Sequence, residues 1–427
     1  PRLIRFFSRR YKGGLEAVLK GQWEQLPFYN VQAMGTQDID TFIEKNFSGA
    51  DRDLARKILE DLRAVKQDNL DFESEQELKT EIFKRLRISQ LMKESQANQA
   101  FDYPENMKPG DCPDYNPGGY QYNARVNKAA RQYWTNAIPD EKLFYYFDLT
   151  PLGKQNAYQA LTTLFTPQPG SICDRSLIHC DYLTSVIHLR TFAESIGTDE
   201  FDRRVQNGTV YFRLTYFGAE YITAADVPSP RGRWASPVSG KSVSLQIVRP
   251  ASKEDLVIGD HVIFWNHLAY DALTVKRPGP WRLENAVIVD KNDKNEDLFE
   301  GHGAPTLGNR TVPGTEDTML NELLAVYNRI AEAALDLTRQ VDAGYANAQQ
   351  ELTDKFPQVT GNPGGEWKVH ELDNRDENKR RPIREYKLRS LTTTSDPELV
   401  GLRDPFDPTK MGTVERPAES RKEPLPR

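Results

Sequence analysis

Of the side chains able to do covalent chemistry in this 427-residue chain, the three cysteines, Cys112, Cys173 and Cys180, are the most informative. An odd, sparse set in a long chain does not point to a disulfide framework, and no pair has metal-ligand spacing, so free thiols are expected. Cys180 stands apart because it opens CDYLTSVIHLRTFAESIG. In that stretch Leu183, Val186, Ile187, Ala193 and Ile196 recur at helical spacing, Gly197 is the stop, and Asp174 or Ser176 is placed to cap the start. Backbone N–H groups at a helix N-terminus lower a thiol pKa and can cradle an oxyanion, which suits a nucleophile. A small, inert core residue accounts for a buried cysteine equally well.

A thiol nucleophile needs a base, usually a histidine held by a third polar group. His188 lies about two turns along the Cys180 helix, out of reach. His179 adjoins Cys180 but points about 100° away from it. His370 falls in a polar tail, and His261 and His267 bracket a strand. His302 stands in FEGHGAP, where Gly301 and Gly303 leave the ring open to close approach. Glu284, in GPWRLENAVIVD, begins an otherwise apolar strand, and the polar KNDKNEDLF between it and His302 reads as a hairpin turn. Adjacent strands bring side chains to about 5 Å, which would set the carboxylate beside the imidazole, with the ring between it and the sulfur. A surface histidine in a Gly-rich turn and a solvated edge carboxylate remain open for these two residues. One residue of register slip would turn a side chain to the opposite face, with His261 or His267 then the base.

The elements that must position these groups form an α+β pattern. Leu54, Ile58 and Leu62 make one stripe, and Ser74 with Glu77 forms a capping box ahead of Leu78, Ile82, Leu86 and Leu91. Residues 102–119 are rich in Pro and Gly and read as an irregular loop. GTVYFRLTYFG (208–218), SVSLQIVRP (242–250), DHVIFWNH (260–267) and NAVIVD (285–290) read as strands. Residues 315–343 return to helix, with Leu320, Leu323, Leu324, Tyr327 and Ile330 on a 3–4 spacing. The expected organisation is a peripheral helical extension over 1–70, a core over 71–310, a helix within 311–355, and a poorly ordered Pro/Arg/Glu-rich tail over 356–427.

Composition narrows the function classes. A net charge of −6 implies no bulk affinity for nucleic acid. No apolar run reaches about 18 residues, so no membrane span is expected. The basic opening PRLIRFFSRRYKGG is followed by no apolar h-region, so no signal peptide is expected, and the compartment stays unassigned. No calcium-loop pattern is present, and neither cofactor nor metal is expected.

Taken in order, ELKTEIFKRLRISQLMKESQ, GGYQYNARVNKAARQYW, CDYLTSVIHLRTFAESIGTDEFD, IGDHVIFWN, PWRLENAVIV and FEGHGAP resemble the bacterial protein-glutamine γ-glutamyltransferases (transglutaminases) of spore-forming bacilli. The similarity runs from about Asp71 to Gly308. It implies a papain-like, NlpC/P60-related fold in which Cys180, Glu284 and His302 carry the family's Cys, Glu and His. It further implies partners that are proteins with accessible Gln and Lys, joined through a Cys thioester. The chain departs from the family in a longer Glu-to-His turn, in His179 where a Glu is expected, and in about thirty extra residues near 139–170. Its first 70 residues and all that follows Gly308 have no counterpart. Water as acceptor would make a glutamine deamidase instead. A cysteine peptidase or amidase, a secreted effector that modifies foreign proteins, and a structural protein with a vestigial site are the other readings.

Overall fold

The computed structural model describes residues 29–66, 71–72, 74–118, 120–139, 145–167, 170–207, 253–267, 269–274, 280–302, 312–357 and 359, with short segments at 11–12, 20, 24–25, 210–211, 214–215, 220–223, 227–228, 234–235, 243–244 and 383–385. Helices α1 (Thr36–Asn46) and α2 (Asp51–Ala64) bury one stripe each, Ile39, Phe42 and Ile43 on the first and Ile58, Leu59 and Leu62 on the second. Helix α3 (Glu75–Ala97) starts where the sequence places it: the Ser74 side chain accepts from the Glu77 N–H. β1 (Phe101–Asp102) follows, then the short helices α4 (Pro151–Gln155) and α5 (Ala157–Thr163). β2 (Ser176–Leu177) pairs parallel with β1 and leads directly into α6 (Cys180–Ile196) and α7 (Thr198–Gln206). β3 (His261–Trp265), β4 (Leu283–Lys291) and β5 (Asp297–Gly301) precede α8 (Glu316–Asp342), α9 (Ala348–Lys355) and β6 (Ile383–Glu385).

One four-stranded antiparallel sheet, in the order β5-β4-β3-β6, organises the molecule. Its central strand β4 is buried on both faces, and its period of two divides the interior. Val287 and Val289 pack with Leu91 of α3 and with Tyr182, Leu183, Val186 and Ile187 of α6. Ala286 and Ile288 pack with Ile58, Leu62, Leu78 and Ile82. The chain is thus α+β, with helices on both sides of a largely antiparallel sheet.

Arg85 ties α3 to this sheet. It is fully buried, with Nε on Glu81 Oε1 at 2.8 Å and Nη1 on Asp260 Oδ1 at 2.9 Å. Gly259 makes the approach possible: its φ is +89°, and a Cβ there would come within 2.8 Å of the Arg85 Cα.

Three expectations change. Residues 31–65, read as peripheral, share a hydrophobic core with the sheet, because the stripes of α1 and α2 bury against Ala286 and Ile288 of β4 and Phe299 of β5. Cys112 and Cys173 are not free thiols but a disulfide closing a separation of 61 residues, so the Pro/Gly loop is tied to the segment before α6. Residues 383–385, inside the tail expected to be poorly ordered, form β6 along the edge of β3. Of the strands expected over 208–218 and 242–250, Val210–Tyr211, Leu214–Thr215 and Val243–Ser244 are described, and the rest of those stretches lies outside the described residues. Among the described residues no helix is long and apolar enough to cross a membrane.

Candidate active site

Cys180 is the first residue of α6 and the one free thiol of the three cysteines. Neither Asp174 nor Ser176 caps this helix: the N-cap is His179, which makes no capping side-chain bond. Asp174 instead closes a 3-10 turn and Ser176 is consumed by β2, so the chain enters α6 from an extended segment. Cys180 is 5% exposed, and its sulfur accepts an N–H from Asn285 Nδ2 at 3.0 Å. Burial pushes the thiol well above its ordinary pKa, and the charges of Glu284 and Asp181 push it further. The side-chain and backbone N–H groups of Asn285 pull it back. The resting group is therefore a neutral thiol.

Glu284 lies on β4 and His302 directly follows β5, the two strands of one hairpin joined by the turn over 292–296. Ala286 pairs with Gly301, so extending the register by one residue sets His302 opposite Asn285. The imidazole makes its hydrogen bonds to backbone groups rather than to the carboxylate or the sulfur. His302 Nε2 donates to the Ile178 carbonyl at 2.8 Å, and the Asp102 backbone also bonds the ring. Burial lowers its pKa to about 4 in spite of the Asp102 charge and these backbone acceptors. No hydrogen bond joins it to Cys180.

Tyr103 touches both the carboxylate and the ring. It stacks on His302 with centroids 4.4 Å apart, and its hydroxyl donates to Glu284 Oε2 at 3.2 Å. Burial and the Glu284 charge keep that hydroxyl protonated. Glu284 needs Gly301 beneath it, because a Cβ at that position would stand 2.1 Å from Oε1. Gly301 therefore makes room for the carboxylate rather than for the imidazole. Gly303, the other glycine of that reading, lies outside the described residues, as does His370.

The remaining histidines divide by environment. His179 Nε2 meets Glu105 Oε1 at 2.8 Å, and Nδ1 meets the Tyr145 hydroxyl at 3.0 Å. Burial opposes charge on this ring, but Glu105 outweighs it and the pKa is raised. Glu105 thus brings a carboxylate to the start of α6. His261 Nε2 meets Asn285 Oδ1 at 2.8 Å. Burial lowers the His261 pKa to about 4, against its bond to Asn285 Oδ1. His267 stacks on Tyr327 at 4.0 Å, in a separate core cluster around Tyr270 and Tyr327.

Asn285, Tyr103 and Glu105 are the residues that sequence reasoning missed. A signal existed for the first: two consecutive polar residues at the head of an apolar strand send one to each face. Tyr103 and Glu105 had none, because they reach the site only through the pairing of β1 with β2. Among the described residues no cluster of three or more His, Cys, Asp or Glu is placed to hold a metal. Comparison with protein-family models gives no match, and no curated protein matches the chain.

Proposed function

We propose that this protein is a thiol acyltransferase of the transglutaminase kind, built on a papain-like, NlpC/P60-related core. The observation that carries the reading is Cys180, the one free thiol, at the first residue of a buried helix, facing a hairpin that presents Asn285, Glu284 and His302. In this reading the sulfur attacks the γ-carboxamide carbon of a protein glutamine, a C–S bond forms, and the C–N bond breaks with release of ammonia. A lysine amine then attacks the thioester, forming an isopeptide bond and returning the thiol. His302, neutral at rest, serves the proton transfers of the sulfur and the leaving ammonia, and Glu284 takes the amine proton. The Cys112–Cys173 bridge fits an oxidising compartment, consistent with an effector that acts outside the cell.

The deep burial of Cys180 and its raised pKa favour a second reading, a structural protein with a vestigial site. Mass spectrometry of a glutamine-rich protein after incubation with the chain, with and without a primary amine, separates them. Amine incorporation with loss of ammonia is expected, and Cys180→Ala should lower its rate on the order of a thousandfold or more. Conversion of glutamine to glutamate regardless of amine would make the enzyme a deamidase, and backbone cleavage a peptidase. No change of mass, or incorporation that survives Cys180→Ala, would sink the proposal.

A further inference from the structure

We propose that Asn285 is the positioning residue for the Cys180 sulfur, and that His261 fixes which end of the Asn285 amide faces it. The proposal rests on Cys180 being a reactive thiol, but not on which acyl group it accepts.

The geometry is a three-membered chain across the sheet. Cys180 on α6 accepts from Asn285 Nδ2 at 3.0 Å, and Asn285 Oδ1 meets His261 Nε2 on β3 at 2.8 Å. Asn285 pairs with Ile263, so His261 reaches it diagonally from the neighbouring strand. All three side chains are buried, at 5%, 6% and 6% exposure, so each polar atom must be matched from within the protein.

An amide can sit two ways round, and the network decides between them. With Nδ2 on the sulfur, His261 carries its proton on Nε2 and donates to Oδ1. Its Nδ1, which has no partner, is then a bare acceptor. With the amide reversed, the proton moves to Nδ1 and becomes a buried donor without an acceptor, the costlier of the two faults. Behind His261 lies His188, centroids 6.4 Å apart, whose Nε2 is also unpartnered and whose pKa burial lowers strongly. Both rings therefore stay neutral, and His261 remains a donor to the amide.

The consequence for chemistry is directional. An N–H aimed at sulfur is worth more to a thiolate than to a thiol, because hydrogen bonds to charged groups are the stronger ones. The Asn285 backbone N–H adds to the same effect. The charges that face the sulfur and oppose it, Glu284 on β4 and Asp181 on α6, are left in place by changes at 285 or 261.

Alkylation of Cys180 by iodoacetamide, followed against pH on the full chain with its disulfide intact, tests this without glutamine or amine. Asn285→Ala should move the midpoint of the rate profile upward and slow the reaction at pH 7 about tenfold or more. Asn285→Asp, of equal shape, should move it at least as far, and near-UV circular dichroism identifies the variants that keep native packing. His261→Phe should give a smaller shift in the same direction, and His261→Gln, which retains a donor, should restore much of the wild-type profile. A folded Asn285 variant with the wild-type midpoint, or a His261→Phe profile no different from wild type, overturns the proposal. A wild-type thiol that iodoacetamide never reaches overturns it as well. Shifted profiles in a chain that transfers no acyl group would keep this inference and sink the transferase reading.

Discussion

At the scale of single residues the site is a contest between burial and charge. Asp181, beside the nucleophile in the first turn of α6, sits where a helix favours a carboxylate, yet burial raises its pKa to about 7. One of its oxygens has no partner. A carboxyl whose folded pKa exceeds its unfolded value costs stability as it ionises. For Asp181 that cost grows from about pH 4 and is complete above about pH 7. Asp181→Asn removes it, so the variant should gain stability over wild type by about 2 kcal/mol more at pH 8 than at pH 5. The same change takes a negative charge from beside the sulfur and should speed alkylation of Cys180 at pH 8. Urea denaturation at the two pH values checks the first effect. An equal gain at both would mean that Asp181 is already ionised in the folded protein near pH 5.

At the scale of elements, the shortest pairing has the largest consequence. β1 and β2 contribute two residues each, but the residues around them hold the site: Asp102 and Ile178 bind the His302 ring, Tyr103 stacks on it, and Cys180 follows two residues after Ile178. Two cross-ties keep that pair together, Arg175 Nη1 to Asp102 Oδ2 at 3.0 Å and the Cys112–Cys173 disulfide. Closing a loop of this length should stabilise the fold by about 4 kcal/mol through the unfolded state. Cys112→Ala with Cys173→Ala, or mild reduction, should lower the denaturation midpoint accordingly. An unchanged midpoint would show that the arginine tie and the surrounding core suffice without the bridge.

At the scale of the whole molecule, the two cores meet across β4, so neither should melt alone. Ile58 of α2 is fully buried with Ile82, Ala286 and Ile288, on the far side of the sheet from Cys180. Ile58→Ala should cost about 2–5 kcal/mol. Because β4 carries Asn285 on its other face, that loss should appear in the same transition, whether read by far-UV circular dichroism or by exposure of Cys180. Two separated transitions, with thiol exposure unmoved by the substitution, would restore the picture of a peripheral N-terminal extension.

Local pattern determined much of this protein. The Ser74 cap, the stripes on α2 and α3, the helix from Cys180 to Ile196 and the hairpin joining Glu284 to the His302 segment were legible because each depends on neighbours a few residues away. The α+β class followed from the same elements. What the sequence could not decide was which groups meet across long separations. The Cys112–Cys173 bridge needs two loops to be folded onto one another, and spacing alone gives no sign of it. Residues 31–65 read as peripheral because amphipathicity shows that a face is buried, not against what. The site turned on neighbouring positions of one strand: Asn285 bonds the sulfur, while the Glu284 carboxylate accepts from the hydroxyl of Tyr103, 181 residues away in the chain. Period two is written in the sequence, but the face that α6 packs against is set only by the tertiary fold.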